Sequence, residues 1–268
     1  MKEITFGQYY PSNSLIHKMN PAIKILLSIA YIVAVFMVSL DNYYLGFAVC
    51  FFVVVFATIM AKISFLRVLK SIKAIIFFVI LSSVLQLFFN KTGTPLWENG
   101  FITDNGLSSA IFIALRIILV VIGASILTFT TSPVEIADGI EVLLAPLKVV
   151  KFPSHELALI MSIALRFIPT ILEETDRIIK AQTARGASFE GGLFKRAKAL
   201  IPVLIPLLIG SFRRADELAD AMDARCYSGS KKRTKYKKMS IRIYDVAGLI
   251  ALGATIAGVV LLNGVIIL

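Results

Sequence analysis

Apolar residues in this chain gather into runs long enough to cross a membrane, separated by short polar turns and one long charged interval. Five runs approach the roughly 20 residues that a hydrocarbon core requires. They are Ala22–Leu40, Leu45–Ala61, Ala74–Phe89, Leu107–Thr130 and Tyr244–Ile267, the second and third being short. The first run is followed after four residues by the second, so it reads as a membrane helix and not as a cleaved signal. Asp41-Asn-Tyr-Tyr44 predicts a tight turn whose tyrosines suit the membrane interface. Lys91–Gly106, with Gly93, Pro95, Trp97 and Gly100, reads as a second outside loop. The pattern predicts an all-α polytopic membrane protein: residues 1–130 with four transmembrane helices, a helical region 131–243 at the cytoplasmic face, and a last transmembrane helix in 244–268.

The polar interval between the fourth and fifth runs has a helical grammar of its own. Thr131-Ser-Pro-Val-Glu135 opens it with a hydroxyl residue, a proline and an acid in the first turn, which is a capping pattern. Pro146 and Pro153 interrupt the following stretch. His155–Ala184 then repeats apolar residues at helical spacing (Leu157, Ile160, Met161, Ala164, Leu165, Ile168), which predicts one long amphipathic helix. Its acidic Glu173, Glu174 and Asp176 precede its basic Arg177, Lys180 and Arg185, the order that the helix dipole favours. Ala199–Gly210 is apolar but only twelve residues long and contains Pro202 and Pro206, so it is expected to pack on other helices or lie at the interface. A further helix is expected over Ser211–Arg225.

Both of these helices end in the same way. Thr183-Ala-Arg-Gly-Ala-Ser188 and Asp223-Ala-Arg-Cys-Tyr-Ser228 share Ala-Arg-x-x-Ser. Gly186 is a natural helix stop. In the second copy Cys226 occupies that position and Gly229 comes later. An arginine at a helix C-terminus is favoured by the macrodipole and projects a planar fork of five donors. On the aqueous side of a membrane protein two such forks suit acidic grooves on two similar partners, or on two similar halves of one.

Charge fixes the orientation. Of the 28 Lys and Arg, nineteen lie in residues 131–243, and Lys2, Lys18, Lys24, Lys62, Arg67, Lys70 and Lys73 fall on the same face. The opposite face keeps Lys91 against Asp41, Glu98 and Asp104. The positive-inside rule then places the N-terminus and the central region in the cytoplasm. It also accounts for the net charge of +11 without nucleic acid. Lys231–Lys238 is either a site for anionic lipid headgroups or an ordinary basic flank. Cys50 and Cys226 are badly placed to pair and read as reduced thiols.

Catalytic chemistry is missing from the pattern. There is no G-x-x-x-x-G-K-[ST], no H-E-x-x-H, no G-x-S-x-G and no Cys/His cluster, so the chain is expected to bind neither ATP nor a metal. His17 and His155 sit in different segments and read as structural or interfacial. Acidic groups are absent from the span interiors, Asp245 lying at the entry of the last, which argues against an ion-driven relay. Arg116, near the middle of the fourth run, is a functional candidate by position. The favoured reading is a structural arginine bonded to a backbone carbonyl or to Gln86.

Taken together, these motifs resemble the transmembrane T component of energy-coupling factor (ECF) transporters, the family that includes the cobalt and biotin transporter permeases. The resemblance runs nearly end to end. Ser14-Leu-Ile-His17-Lys-Met-Asn20-Pro21-Ala-Ile-Lys24 is similar to its N-terminal motif, with Asn20 where aspartate is frequent. Thr131–Glu141, Leu144–Lys148, Arg166-Phe-Ile-Pro169 with Glu173-Glu174, Ala181–Gly186 and Arg213–Tyr227 resemble its later blocks. The family carries Ala-Arg-Gly twice; here the second glycine is Cys226, which strains a left-handed helix end.

The resemblance implies a non-catalytic scaffold of an ABC-type importer in the cell membrane. Ala184, Arg185 and Gly186, and Ala224, Arg225 and Cys226, would dock the coupling helices onto two ATP-binding subunits, which themselves hold ATP and Mg. A membrane substrate-binding S component would capture a vitamin or metal ion. Leu204 and Leu208, in the apolar 199–210 stretch, are the candidate contacts for that component. The rival readings are a self-contained secondary transporter, a membrane enzyme and a scaffold unrelated to transport. The first needs intramembrane ionisable groups beyond Arg116, and the second needs a convergent catalytic set.

Overall fold

A computed structural model describes residues 9–40, 43–90, 94, 103–146, 154–189, 191–227 and 242–264. Among these the elements are all helices: α1 (Pro21–Met37), α2 (Tyr43–Ala61), α3 (Phe65–Phe89), α4 (Asp104–Thr130), α5 (Pro133–Leu144), α6 (Ser154–Ala184), α7 (Leu193–Ala224) and α8 (Ile243–Gly264). They divide into two units. Residues 1–154 with 239–268 form one, and residues 155–238, essentially α6 and α7, form the other. The region expected at 131–243 is thus divided, because α5 belongs with the membrane bundle. The cap expected there is present: Glu135 N–H donates to Ser132 Oγ (3.3 Å) and Ser132 N–H to Glu135 Oε2 (3.2 Å). Gly139 lets α5 lie against the start of α1, since a Cβ there would sit 3.0 Å from the backbone of Pro21 and Ala22.

Among the described residues five helices are long and apolar enough to span a bilayer, the number expected, but their membership shifts. They are α2, α3, α4, α6 and α8. Helix α3 begins nine residues before Ala74 and takes in Arg67, Lys70 and Lys73, whose long side chains can reach toward a polar interface. Helix α6 qualifies through its first half, while its second half carries the charges. Helix α1 has only 17 residues, about 25 Å, short of a core about 30 Å thick.

The length of α1 is matched by its two attachments to α4. At one end Lys24, only 5% exposed, donates from Nζ to the carbonyl of Thr130 (3.0 Å) and to that of His17 (3.2 Å). At the other end Arg116 Nη2 donates to the carbonyl of Val38 (3.0 Å), and its guanidinium lies 4.2 Å from the Phe112 ring centroid. Carbonyls at a helix C-terminus have no intrahelical donor, and in hydrocarbon no water replaces it. Arg116 supplies one. This is the structural reading of Arg116, made to a carbonyl and not to Gln86.

The bundle core is built from Tyr31 and Val35 of α1, Phe47, Cys50 and Val54 of α2, Val68 of α3, Phe112, Leu119, Ile122 and Phe129 of α4, and Val259 of α8. A polar knot closes the Lys24 end. Tyr10 N–H donates to the Phe129 carbonyl (3.0 Å), and His17 Nε2 donates to the Tyr10 carbonyl (2.9 Å). That acceptor fixes the ring proton on Nε2, so Nδ1 accepts from Ser14 Oγ at 2.6 Å. Asp245, fully buried, accepts from the backbone N–H of Asn20 (2.9 Å) and of Arg242 (2.7 Å), and so ties α8 to α1. Asn20 itself caps α1 through its side chain, which accepts from Ala22 N–H. An amide oxygen therefore does the capping that aspartate would do.

Candidate functional site: two arginine-capped helix ends

Helix α6 stops because Gly186 adopts φ +90. Ala187 N–H donates to the Gln182 carbonyl and Gly186 N–H to the Thr183 carbonyl, both at 2.9 Å. This pair of bonds is the Schellman arrangement, with Arg185 as the capping residue. Helix α7 ends the same way, residue for residue. Tyr227 N–H donates to the Met222 carbonyl (3.0 Å) and Cys226 N–H to the Asp223 carbonyl (2.8 Å), with Arg225 at the cap. Cys226 takes φ +56 to achieve it. The strain expected from replacing glycine is therefore accepted, and the geometry is kept.

Arg185 and Arg225 are both exposed, as are Ala184, Gly186, Ala224 and Cys226. Among the described residues neither guanidinium makes an ion pair. Each is a planar five-donor fork at a helix C-terminus, where the dipole favours a cation.

Helices α6 and α7 are joined by two contacts. Arg214 Nη2 pairs with Glu174 Oε2, their side chains being 27% and 29% exposed. Gln182 Nε2 donates to the Pro202 carbonyl at 3.3 Å. The order of contact reverses between the helices, from 174 to 182 on one and from 214 to 202 on the other. Arg185 lies eleven residues beyond Glu174, and Arg225 eleven beyond Arg214. Each cap thus stands about 16 Å along its own helix from the ion pair. Pro169, Pro202 and Pro206 all precede the pair, which leaves both arms as uninterrupted helix.

The apolar stretch Ala199–Gly210 and the helix expected over Ser211–Arg225 belong to one element. Helix α7 is continuous for 32 residues with Pro202 and Pro206 inside it. Proline has no N–H, so Pro206 leaves the Pro202 carbonyl without its helical donor. Gln182 fills that vacancy. Leu204 (54% exposed) and Leu208 (58%) lie on an apolar stripe that continues through Ile201, Ile205 and Phe212. Lys231–Lys238 lies outside the described residues, as does most of the expected loop Lys91–Gly106. The roles of Glu174, Arg214 and Gln182 escaped sequence reasoning. The equal spacing of eleven residues was the one available signal for the ion pair.

Comparison with known proteins agrees along most of the chain. The family model described as "Cobalt transport protein" (CbiQ) matches residues 12–236. The energy-coupling factor transporter transmembrane protein EcfT of Ruminiclostridium cellulolyticum is 48% identical over 249 residues, covering 92% of each chain. That of Clostridium kluyveri is 48% identical over 260 residues, 94% of each. That of Listeria innocua is 42% identical over 255 residues, 94% of this chain and 95% of its own. With its apolar spanning helices, this chain is a multi-pass membrane protein and belongs to the CbiQ family of energy-coupling factor transporter transmembrane components.

Proposed function

We propose that this chain is the non-catalytic coupler of its transporter, carrying the motion of two cytoplasmic ATP-binding subunits to a membrane S component that holds the substrate, a vitamin or metal ion. The observation that carries this reading is the equivalence of the two arginine caps. Two helix ends with the same cap geometry, each eleven residues beyond one ion pair, match two similar grooves. Arg185 and Arg225 would each enter an acidic groove, flanked by Ala184 and Gly186 or by Ala224 and Cys226. Rigid arms transmit displacement, because a regular helix bends little between its ends. ATP and Mg would stay with the partner subunits, since this chain has no phosphate-cradling loop. The N-terminus and the caps would face the cytoplasm, in keeping with the distribution of basic residues. The stripe through Leu204 and Leu208 would meet the S component by van der Waals packing.

Co-purification tests this. The wild-type chain should bring down two P-loop ATPases. Arg185→Ala or Arg225→Ala should weaken that association, by about 2–5 kcal/mol if the partner's charge is left buried, and the double change should abolish uptake. Leu204→Asp with Leu208→Asp should impair uptake while the ATPases still bind. Wild-type uptake by the double arginine variant at normal membrane levels would overturn the docking assignment.

A further inference from the structure

The ends of α6 and α7 repeat one another at an offset of forty residues, and the repeat reaches back beyond the caps. Ala181, Ala184 and Arg185 of α6 correspond to Ala221, Ala224 and Arg225 of α7. Exposure repeats as well: positions 173, 177, 180 and 183 are exposed, and so are 213, 217, 220 and 223. The charges do not repeat. They reverse. Glu173, Arg177 and Lys180 correspond to Arg213, Glu217 and Asp220, and the ion-paired Glu174 and Arg214 are a fourth reversal. From 177 to its cap α6 carries Arg177, Lys180 and Arg185 with no acid. From 217 to its cap α7 carries Glu217, Asp220 and Asp223, with Arg225 as the one base. Among the described residues none of these side chains is in an ion pair. Helix stability does not account for the α7 charges. Asp223 lies in the last turn, where the dipole disfavours an acid. Glu217, Asp220 and Asp223 follow one another at intervals of three, a spacing at which like charges on a helix repel. A surface of opposite charge laid against them would relieve both.

We propose that these flanking charges sort the two helix ends between two unlike ATP-binding subunits. The end of α6 docks in a groove whose rim bears carboxylates, and the end of α7 in a groove whose rim bears lysine or arginine side chains. This rests on the docking reading above and adds the residues that decide which end goes where. The two cap arginines ask for the same acceptor, so the caps by themselves do not tell the grooves apart. A rim of one charge would attract one helix end and repel the other, and like charges brought together across an interface suppress the wrong partner. Specificity is a difference between two affinities, and here the repulsion supplies it. Arg177 and Lys180 on α6, and Glu217, Asp220 and Asp223 on α7, are therefore the specificity-determining residues.

The test uses the full chain in complex with its ATP-binding subunits, in membranes of the native host. Photoreactive benzoylphenylalanine replaces Ala181 or Ala221, equivalent exposed positions on the two helices, and the captured polypeptide is identified by mass spectrometry. The probe at 181 should capture one ATP-binding polypeptide and the probe at 221 a different one. Exchanging the flanks, with Arg177→Glu and Lys180→Asp on α6 and Glu217→Arg and Asp220→Lys on α7, should interchange the two captures. Reversing the α6 flank alone should lower capture at 181 by about tenfold and leave capture at 221 unchanged. If these chains do not accumulate, Arg177→Gln with Lys180→Gln is measured in the same way, and capture should again fall at 181 alone. One and the same polypeptide captured at both positions, or captures indifferent to these changes, would overturn the sorting and leave the docking standing. No ATP-binding subunit captured at either position would overturn the docking as well.

Discussion

Glu174 on α6 and Arg214 on α7 form an ion pair from which the two arginine caps stand equally far, eleven residues along each helix. It is one of two polar contacts between these helices among the described residues, the other being Gln182 with the Pro202 carbonyl. Its own contribution to stability is modest, because a partly exposed ion pair is worth up to about 1 kcal/mol. Its value is geometric, since with the Gln182 contact it holds α6 to α7.

That geometry yields the first prediction. Arg214→Glu sets two carboxylates together and should reduce uptake by the reconstituted transporter. Adding Glu174→Arg restores the pair with its polarity reversed and should recover most of the activity. A double variant no better than the single would mean that the crossing does not depend on this pair.

Helix-end strain gives a second prediction. A non-glycine residue in the left-handed region costs on the order of 1–3 kcal/mol, and Cys226 sits there at φ +56. Cys226→Gly should therefore raise the thermal midpoint of the purified protein, the gain being roughly 0.5–1 kcal/mol after the entropy that glycine adds to the unfolded chain. Gly186→Ala should lower it. Circular dichroism melts of the two variants check both signs.

A third prediction concerns Gln182 and Pro206. Gln182→Ala removes the donor to the Pro202 carbonyl and should cost about 1 kcal/mol. In a Pro206→Ala background the alanine N–H takes over that carbonyl, so the same Gln182→Ala change should cost much less. A double-mutant cycle on thermal stability measures the difference. Additive effects would remove Gln182 from this role.

The fourth prediction is a pH dependence. Burial holds the His17 imidazole below its ordinary value of 6.5; the Tyr10 carbonyl pulls the other way, and the positive charge of Lys24 adds to the lowering. The unfolded chain then binds the proton more readily than the folded one. The contribution of His17 is fully present above about pH 7 and is lost as pH falls through 6.5 toward the lower folded value. Thermal midpoints should drop between pH 8 and pH 5.5 by more in the wild type than in His17→Gln. An equal drop would place the acid sensitivity elsewhere.

Much of the molecule was legible from short-range pattern. The apolar runs, the Ser132–Glu135 capping box, the amphipathic α6 and the glycine stop at Gly186 depend on neighbours within four residues, so composition and spacing suffice to find them. The two Ala-Arg motifs were found in the same way. Pro202 and Pro206 show where such reasoning fails. Local preference breaks a helix at proline, and only a donor from twenty residues away, Gln182, satisfies the carbonyl that the break would otherwise have released to water.

By itself, the sequence determined that this protein is a helical membrane protein with two arginine-bearing helix ends, because hydrophobicity, charge asymmetry and capping are properties of contiguous residues. Tertiary structure alone decided that α1 stops at Met37, short of a full span, and that Arg116 meets the carbonyl of Val38 just beyond it. It decided that Cys226 is driven into a glycine conformation, and that Glu174 and Arg214 pair across α6 and α7. Each of those outcomes rests on a donor, an acceptor or a packing surface brought in from a distant part of the chain, and such partners leave no local trace in the order of residues.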